Sequence, residues 1–421
     1  DIYGFFDENS QWQKHLSLLK QGIGKTAKPE RLSPKTAKAL YGKNIFSSVS
    51  RLERFAGCPF SFFAEYGLKA EERRLYQLNT PDLGSLFHEV LELFSNKLEQ
   101  DSLPWTSLTK EETTARIHAA VEDAAPRLGN RILLDSAANQ YLIRRLKRIS
   151  TRAAWTLVQH LQQGDFVPAG YEVGFGAHEA LPPIVIRLQD GGSLILNGKI
   201  DRVDLLDANG TRYVKIIDYK SGNKTFHFQD IYYGLQLQLL VYLDAYLKYY
   251  KKTGASFKPG GVFYFRITDP TLALDEELSA ETIEKILYEK MRMSGLLLQE
   301  DVLIHGLDHS LAESRSSAIV PVGYTKKGDP TAASNLATEE QYAAILDFVA
   351  TRTQELGDAM KAGIITPAPY RDGQRTPCSY CSYRSLCRHS YGEAPRWRKL
   401  KKIDKADFWE SITPKQPTET E

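Results

Sequence analysis

Three charged side chains lie on two segments rich in apolar residues near the middle of the sequence: Asp201, Asp218 and Lys220. The dipeptide Asn209-Gly210 between the two aspartates is a strong signal for a two-residue hairpin turn. With that turn, the two aspartates lie opposite each other on paired strands, and Lys220 lies on the same face. We therefore predict that two carboxylates and an amine meet at one patch of a β-sheet.

Such a pair of carboxylates has a specific chemical use. Neighbouring carboxylates repel each other unless a proton or a cation neutralises them, and Mg²⁺ prefers oxygen ligands. An amine beside them can orient a water molecule or stabilise the charge that develops on a phosphate during hydrolysis. The alternative is a solvent-exposed strand pair with ordinary surface charges, but the flanking Ile200, Ile216 and Ile217 are typical of buried strands. The pattern favours a magnesium site that acts on phosphate esters.

The four cysteines form a second group that could hold a metal. Cys378, Cys381 and Cys387 are clustered, and Cys58 lies 320 residues before the first of them. Because the sequence shows no secretory signal, a metal or cluster site is favoured over disulfides. Four thiolates suit both a tetrahedral zinc ion and an iron–sulfur cluster, so the residues alone leave these two open. Free buried thiols are the remaining alternative.

Composition limits the classes of protein that the chain can represent. The 421 residues are 42% apolar and 25% charged, which suits a chain with a sizeable core, and the net charge of +2 argues against a uniformly basic nucleic-acid binder. Local basic runs near 144–152 and 396–402 could contact phosphates or form a solvated surface. No apolar run is long enough for a membrane span and no signal peptide is visible, so we expect a cytoplasmic protein. The first residue is Asp1, which suggests a piece of a longer polypeptide.

The elements that must position these residues follow from hydrophobic periodicity and turn signals. Apolar spacing predicts helices near 10–21, 82–99, 110–163, 229–251, 280–294 and 338–362, and a further helix capped by the serines at 47–50. Strands are predicted near 171–175, 184–188, 193–203, 212–220 and 261–266. The polar residues 414–421 are expected to be disordered. The pattern is typical of an α/β or α+β fold with a helical insertion between 100 and 163.

The spacing of the charged hairpin residues resembles the motif of the PD-(D/E)XK nuclease superfamily, in which Asp and Asp-x-Lys lie on consecutive strands. The wider arrangement is similar to the RecB-like branch of that superfamily. The residues that match this branch are His88 on an upstream helix, Glu172 on a strand before the hairpin, and Gln238 and Tyr242 one helical turn apart after it. The resemblance implies a restriction-endonuclease-like α/β core with a mixed central sheet flanked by helices.

The resemblance also implies a role for each matching residue. The metal ion would be bound by His88, Asp201, Asp218 and the main-chain carbonyl of Tyr219. Lys220 would be the catalytic amine, and Glu172 would be a weaker participant. Gln238 and Tyr242 would position the site or the DNA strand.

The cysteine pattern narrows the resemblance. One cysteine before the core and three after it is the pattern of iron–sulfur RecB-like nucleases, which hold a [4Fe–4S] cluster on residues that match Cys58, Cys378, Cys381 and Cys387. Together with the long insertion, this is similar to the nuclease domains of AddAB-type helicase–nuclease B subunits from bacteria. The likeness implies Mg²⁺-dependent cleavage of single-stranded DNA, on the 5′-terminated strand, during double-strand-break processing for recombination. It also implies a heterodimer with an A subunit.

The resemblance covers about residues 45–395 and predicts three parts. Residues 1–44 would be a helix and linker from a preceding domain, 45–395 the iron–sulfur nuclease domain, and 396–421 a basic segment with a disordered tail. No Walker A motif is present, so ATP hydrolysis is not expected in this piece. A catalytically inactive iron–sulfur module that binds DNA or acts as a scaffold is the alternative, but the intact Asp, Asp and Lys set argues against it.

Overall fold

A mixed six-stranded sheet organises the chain. The computed structural model describes residues 10–24, 31–71, 80–126, 137–272, 277–387, 389 and 397–413. The strands are β1 (Asn44–Ser47), β2 (Val167–Phe175), β3 (Ile184–Arg187), β4 (Ser193–Leu196), β5 (Gly198–Ala208), β6 (Thr211–Lys220), β7 (Phe257–Arg266), β8 (Ser294–Leu298), β9 (Leu336–Ala337), β10 (Tyr370–Arg371) and β11 (Arg398–Lys399). The main sheet has the order β2-β5-β6-β7-β8-β9, with β6 and β7 parallel. A three-stranded sheet has the order β1-β4-β3, and β10 pairs with β11.

Helices flank this sheet, which confirms the predicted α/β architecture. They are α1 (Ser10–Gly24), α2 (Pro34–Tyr41), α3 (Val49–Gly57), α4 (Pro59–Phe62), α5 (Thr80–Gln100), α6 (Lys110–Ala124), α7 (Ala137–Gln162), α8 (Phe228–Tyr232), α9 (Gln238–Lys252), α10 (Ala280–Lys290), α11 (Asp301–Leu307), α12 (Glu339–Lys361), α13 (Arg384–Cys387) and α14 (Lys405–Ile412). As predicted, Ser48 caps α3, where its hydroxyl accepts from the main-chain nitrogen of Arg51. In the part of the chain that is described, no helix is both long enough and apolar enough to span a bilayer.

The predicted hairpin and its register are confirmed. Ala208 pairs with Thr211 across the turn, and both turn residues, Asn209 and Gly210, have positive φ, as the predicted two-residue turn requires. The pairing continues to Arg202 opposite Ile217. The next opposing positions along the two strands are those of Asp201 and Asp218.

The strand predicted at 193–203 is wrong as a single element, because the chain changes sheets within it. β4 belongs to the small sheet, which is closed by a hydrogen bond from the nitrogen of Asn197 to the carbonyl of Ser47. β5 starts at Gly198 in the large sheet, where a Cβ would lie 2.1 Å from the Tyr242 hydroxyl oxygen. The absence of a side chain at Gly198 lets the aromatic ring approach the strand.

The helix predicted at 229–251 is interrupted. α8 ends before Gly234, which has a φ of +74°, and α9 begins at Gln238. The side chain of Gln236 holds the interruption, because it accepts from the nitrogen of His227 and donates to the carbonyl of Thr225. The break creates a new helix N-terminus next to the hairpin.

Other boundaries also differ from the prediction. The helix expected to reach 294 ends at Lys290, and the buried apolar run that follows forms β8, since short apolar runs suit a strand and a helix equally. The described parts of 110–163 form two helices, and 127–136 lie outside the described residues. Helix α2 lies in the predicted linker and α14 in the predicted basic segment. Residues 414–421, predicted to be disordered, lie outside the described part of the chain.

Candidate active site

Asp201 and Asp218 come together where β5 and β6 run side by side. Both side chains are buried, and one oxygen of Asp201 accepts a hydrogen bond of 2.5 Å from the main-chain nitrogen of Tyr219. This bond crosses between the two strands and fixes the orientation of the Asp201 carboxylate. The position of Tyr219 beside Asp201 is thereby established, while its carbonyl as a metal ligand stays a prediction.

His88, Glu172 and Asp201 form one group of possible metal ligands. One ligand atom from each lies within 4.8 Å of the others, and His88 Nδ1 is 3.3 Å from Asp201 Oδ1. His88 comes from α5 and Glu172 from β2, so three elements that are far apart in sequence contribute. An imidazole and two carboxylates are donors that suit a divalent cation such as Mg²⁺ or Mn²⁺.

Glu172 has an unusual main-chain conformation for its residue type. Its φ is +46°, in the left-handed region that costs a residue with a side chain roughly 1 kcal/mol or more. The neighbouring pairs Tyr171–Arg202 and Val173–Ile200 place it across from Asp201. The backbone therefore bears strain at the position that brings this carboxylate to His88 and Asp201.

The charges in this group need compensation. Burial, and then the neighbouring Asp201, raise the pKa of Glu172 to about 7. Burial lowers the pKa of His88, but the hydrogen bond to Asp201 and the charges of Asp201 and Asp218 together outweigh burial, so the net shift of this pKa is upward. Buried carboxylates this close together are stabilised by a proton or a cation.

Asp218 belongs to a second group, with Lys220 and Gln238. Gln238 Nε2 donates to Asp218 Oδ1 over 2.8 Å, and the Lys220 ammonium forms an ion pair with the other oxygen of Asp218. Burial, followed by the charge of Asp201, raises the pKa of Asp218 to about 6. Burial lowers the pKa of Lys220, but its contact with Asp218 and the charges of Asp201 and Glu53 together raise this pKa more, so the amine is held as an ammonium. The predicted Asp-x-Lys pair is therefore a direct contact.

Tyr242 lies one turn after Gln238 but packs elsewhere. Its ring stacks on Phe175 with centroids 5.5 Å apart, and its hydroxyl lies against β5 at Gly198. Burial raises its pKa above the ordinary range of tyrosine. In this arrangement Tyr242 supports the start of the strand that carries Asp201.

Glu53, which the sequence analysis did not select, holds α9 in place. One oxygen of its carboxylate accepts from the main-chain nitrogens of Leu237 and Gln238, at 2.8 and 3.0 Å, and the other lies 3.2 Å from Lys224 Nζ. Glu53 therefore serves as an N-terminal cap that is supplied by α3. No local pattern predicts this contact, since its partners lie more than 180 residues away in the chain.

A fully buried ion cluster supports the same hairpin. Arg202 forms two hydrogen bonds with Asp204, of 2.6 and 3.0 Å, and Lys215 on β6 lies 2.9 Å from the same carboxylate. The guanidinium of Arg202 also lies over the ring of Trp105, at 4.7 Å. Because these charges are buried and paired, any slip of the two strands would leave a charge without a partner.

The ligand group opens to solvent through a groove of about 730 Å³. Its lining includes Gly84, His88, Glu92, Glu172 and Ser221. The groove reaches His88 and Glu172 directly. The metal-ligand group is therefore accessible from solvent.

The four cysteines are brought to one place. Cys58, Cys378, Cys381 and Cys387 line a single small cavity. Burial raises the pKa of Cys58 to about 11 and also raises that of Cys378, so these thiols resist ionisation unless a cation is bound. The sulfur-only donor set fits a thiophilic metal centre.

A second cavity separates the cysteines from the hairpin. It has a volume of about 610 Å³, and its lining includes Glu53, Lys224, Arg375, Tyr380 and Cys381. Tyr380 is 96% exposed, which is unusual for a large aromatic residue. The cysteine region and the loop after β6 that carries Lys224 therefore border a common space.

Comparison with known proteins agrees with this geometry. The chain is 40% identical over 415 residues to the B subunit of the ATP-dependent helicase/deoxyribonuclease of Alkaliphilus oremlandii, a match that covers 98% of this chain and 36% of that protein. It is 42% identical over 389 residues to the protein of the same name from Alkaliphilus metalliredigens, covering 92% and 34%. It is 35% identical over 413 residues to the protein of the same name from Thermoanaerobacter sp. (strain X514), a match that covers 98% of this chain and 36% of that protein. The chain thus spans about a third of the length of these relatives.

A family model described as the PD-(D/E)XK nuclease superfamily matches residues 47–388. This range includes both residue groups of the candidate active site and all four cysteines. Because the match extends over most of the chain, the chain belongs to the PD-(D/E)XK nuclease superfamily.

Proposed function

We propose that this chain is a metal-dependent deoxyribonuclease domain that hydrolyses phosphodiester bonds of single-stranded DNA. The observation that carries the proposal is the pairing of a ligand group, His88, Glu172 and Asp201, with a buried Asp218–Lys220 contact on one hairpin. The relatives are named as subunits of a helicase/deoxyribonuclease, which supports DNA as the substrate. A catalytically inactive scaffold would have no need to keep both groups intact.

Mg²⁺ fits the ligand group. His88, Glu172 and Asp201 would hold it, and Asp218 lies on the adjacent strand position, where it could complete the oxygen ligands. The ion would supply positive charge at the scissile phosphate and activate a water molecule.

The side chains of the second group have separate tasks. The ammonium of Lys220 stabilises the negative charge that builds up on the phosphate oxygens as the bond to the leaving group breaks. Gln238 holds one oxygen of Asp218, so that the other oxygen stays directed at Lys220. Tyr242 supports β5 and thereby the position of Asp201.

The cysteines are proposed to hold a [4Fe–4S] cluster that joins the two ends of the domain. Cys58 lies 320 residues before Cys378. Closing a loop of that length lowers the conformational entropy of the unfolded chain, which stabilises the folded state by several kcal/mol in the entropic model used for disulfides. Zinc is the competing occupant. A brown protein that absorbs broadly near about 400 nm and contains iron and sulfide would support the cluster, whereas a colourless protein with stoichiometric zinc would overturn it.

The biological setting is proposed from the named relatives and the family resemblance. This domain would act on the 5′-terminated strand during the processing of double-strand breaks for recombination, within a cytoplasmic helicase–nuclease heterodimer that includes an A subunit. Strand choice is measurable with duplex substrates that carry a label on either end. In the assembled complex, Asp218→Asn should abolish cleavage of the 5′-terminated strand and leave cleavage of the other strand unchanged. Equal loss of cleavage on both strands would contradict this part.

The central test is cleavage of labelled single-stranded DNA with Mg²⁺ and with a chelator. We expect the chelator to abolish cleavage, and Asp218→Asn to lower the rate by about a thousandfold or more while the protein stays folded. Asp407→Asn on α14, far along the chain, is the matched control. If Asp218→Asn cleaved as fast as the control, the activity would come from another site. If neither the unaltered chain nor the control cleaved, the inactive-module alternative would replace this proposal.

A further inference from the structure

A strongly basic groove lies on the helical insertion, outside the candidate active site. It has a volume of about 410 Å³, and α7 supplies most of its lining: Arg144, Lys147, Arg148, Arg152 and Trp155. Lys110 on α6 and Glu284 on α10 line it as well. Five of its lining residues are therefore lysine or arginine, and one is acidic.

The arginines on α7 have a regular spacing. Arg144, Arg148 and Arg152 are four residues apart, so their side chains lie on one helix face at steps of about 6 Å along the axis. This step is similar to the distance between successive phosphates of an extended single strand. Trp155 continues the same face and adds an aromatic surface on which a base or sugar can pack.

Carboxylates neutralise only part of this charge. Arg148 and Arg152 share Asp269, at 2.8 and 3.2 Å. Lys147 pairs with Glu122 at 2.6 Å, and Lys110 lies 3.7 Å from Glu284. Arg144 is exposed and forms no ion pair with any carboxylate of the described residues. Five cationic side chains thus face three carboxylates. Both partners of the Lys110–Glu284 pair are exposed to solvent, so a phosphate can compete for Lys110.

The groove is joined to the end of the sheet that carries Lys220. Arg266 at the end of β7 pairs with Lys220 at the end of β6, and the nitrogen of Ile267 donates to the Lys220 carbonyl over 2.9 Å. Asp269, the partner of Arg148, follows two residues later. Helix α7 also packs against α5, the helix that carries His88. The basic groove and the candidate active site are therefore formed by adjoining elements.

We propose that this groove binds the phosphodiester backbone of the single-stranded DNA on one side of the scissile bond. The inference rests on the proposed nuclease function and adds a binding surface to it. The arginine row would provide charge-assisted hydrogen bonds to phosphates without reading the base sequence. An acidic protein segment is the other polyanion that the charge would suit. The regular arginine row and its connection to Lys220 favour DNA.

The test is DNA affinity in the 421-residue chain with Asp218→Asn, which prevents cleavage during the measurement. Arg144→Gln with Arg148→Gln removes two groove charges, and Lys251→Gln with Lys252→Gln removes two exposed charges at the end of α9 as the matched control. For a single strand of about 30 nucleotides at about 0.1 M salt, we expect the groove variant to bind roughly 25-fold more weakly, because each lost single-strand phosphate contact contributes about 0.7 to the salt slope. The plot of the logarithm of the binding constant against the logarithm of the salt concentration should become less steep, by about 1.4.

Several outcomes would overturn the groove assignment. An affinity and salt slope equal to those of the control variant would do so. A poly-glutamate peptide that binds as tightly as the DNA and loses binding in the groove variant would identify an acidic protein as the ligand.

If the double variant failed to fold, Arg144→Gln alone would give the same comparison, since Arg144 is exposed. Absence of any cleavage by the unaltered chain with Mg²⁺ would instead count against the proposed function.

Discussion

At the scale of single residues, the two hairpin aspartates have different surroundings. Asp201 is oriented by the Tyr219 nitrogen and faces His88, whereas Asp218 is held between Lys220 and Gln238. Equivalent positions on paired strands are thus given separate tasks by the elements that pack against them. This difference explains how the Gln238 amide on α9 can affect the orientation of the Asp218 carboxylate on β6.

Replacing Gln238 tests that division. Gln238→Ala leaves one oxygen of the buried Asp218 carboxylate without its donor, so we expect kcat to fall by roughly tenfold and the free energy of unfolding to fall by about 1–3 kcal/mol. Gln299→Ala, at an exposed glutamine after β8, is the control for the assay. Unchanged kcat in Gln238→Ala, measured at saturating DNA, would show that the hydrogen bond has no catalytic consequence.

At the scale of elements, the position of α9 depends on a cap from another helix. Glu53 on α3 accepts from the first nitrogens of α9 and pairs with Lys224 in the loop after β6. One carboxylate therefore connects the cysteine-bearing end of α3 to the helix that carries Gln238. The loop after β6 is held by the same group.

Removal of this cap should change both the stability and the activity of the protein. Glu53→Ala should destabilise the protein by about 1–2 kcal/mol, the usual effect of losing an N-cap, and should lower kcat through the displaced Gln238. Glu53→Gln keeps an acceptor oxygen and should recover most of the stability. Urea unfolding and cleavage rates check both effects. If the alanine variant matched the unaltered chain in both measurements, α9 would not depend on this contact.

At the scale of the whole molecule, segments from both ends of the described chain close around the core. The nitrogen of Leu32 bonds to the carbonyl of Gly363. Helix α14 packs on α8 and α12 through Phe408 and Trp409, and Phe408 is fully buried. The C-terminal helix is therefore part of the same folded unit as the sheet.

This packing predicts a large effect from a mutation far from the chemistry. Phe408→Ala should lower the free energy of unfolding by about 3–5 kcal/mol, because it removes a buried ring and leaves a cavity. Glu410→Ala, at an exposed position on the same helix, should have little effect. A loss below about 1 kcal/mol in urea unfolding would show that α14 does not contribute to the core.

A buried histidine should make stability depend on pH. Burial, and then the nearby Lys215 and Arg202, lower the pKa of His160 from 6.5 to about 3. The neutral ring is favoured in the folded state, so its contribution is fully present above about pH 6.5 and is lost as the pH falls toward 3. Between pH 7.5 and 5.5 this one group should cost about 1 kcal/mol of stability.

The comparison of two variants isolates this contribution. His160→Leu should show a smaller loss of stability between pH 7.5 and 5.5 than the unaltered chain, while His305→Leu, at an exposed histidine, should follow the unaltered chain. Urea unfolding at the two pH values provides the measurement. Parallel curves for all three proteins would mean that His160 is not held neutral.

The sequence by itself was enough to predict the α/β fold, the hairpin and its register. The Asn209-Gly210 turn is local, and a hairpin register follows from the turn. The family motif likewise pointed to His88, Asp201, Asp218 and Lys220, because their types and order are visible without coordinates. Local apolar runs, by contrast, did not separate β4 from β5 or reveal the break between α8 and α9.

Only the tertiary structure decided which residues from other elements meet the hairpin. It placed Glu172 with His88 and Asp201, assigned Gln238 to Asp218, and brought in Glu53 from α3. These contacts join strands and helices that are up to 185 residues apart in the chain. Their partners are chosen by packing over the whole sheet, for which no short stretch of sequence carries a signal. Local turns and spacings therefore determined the elements, and long-range packing determined the site.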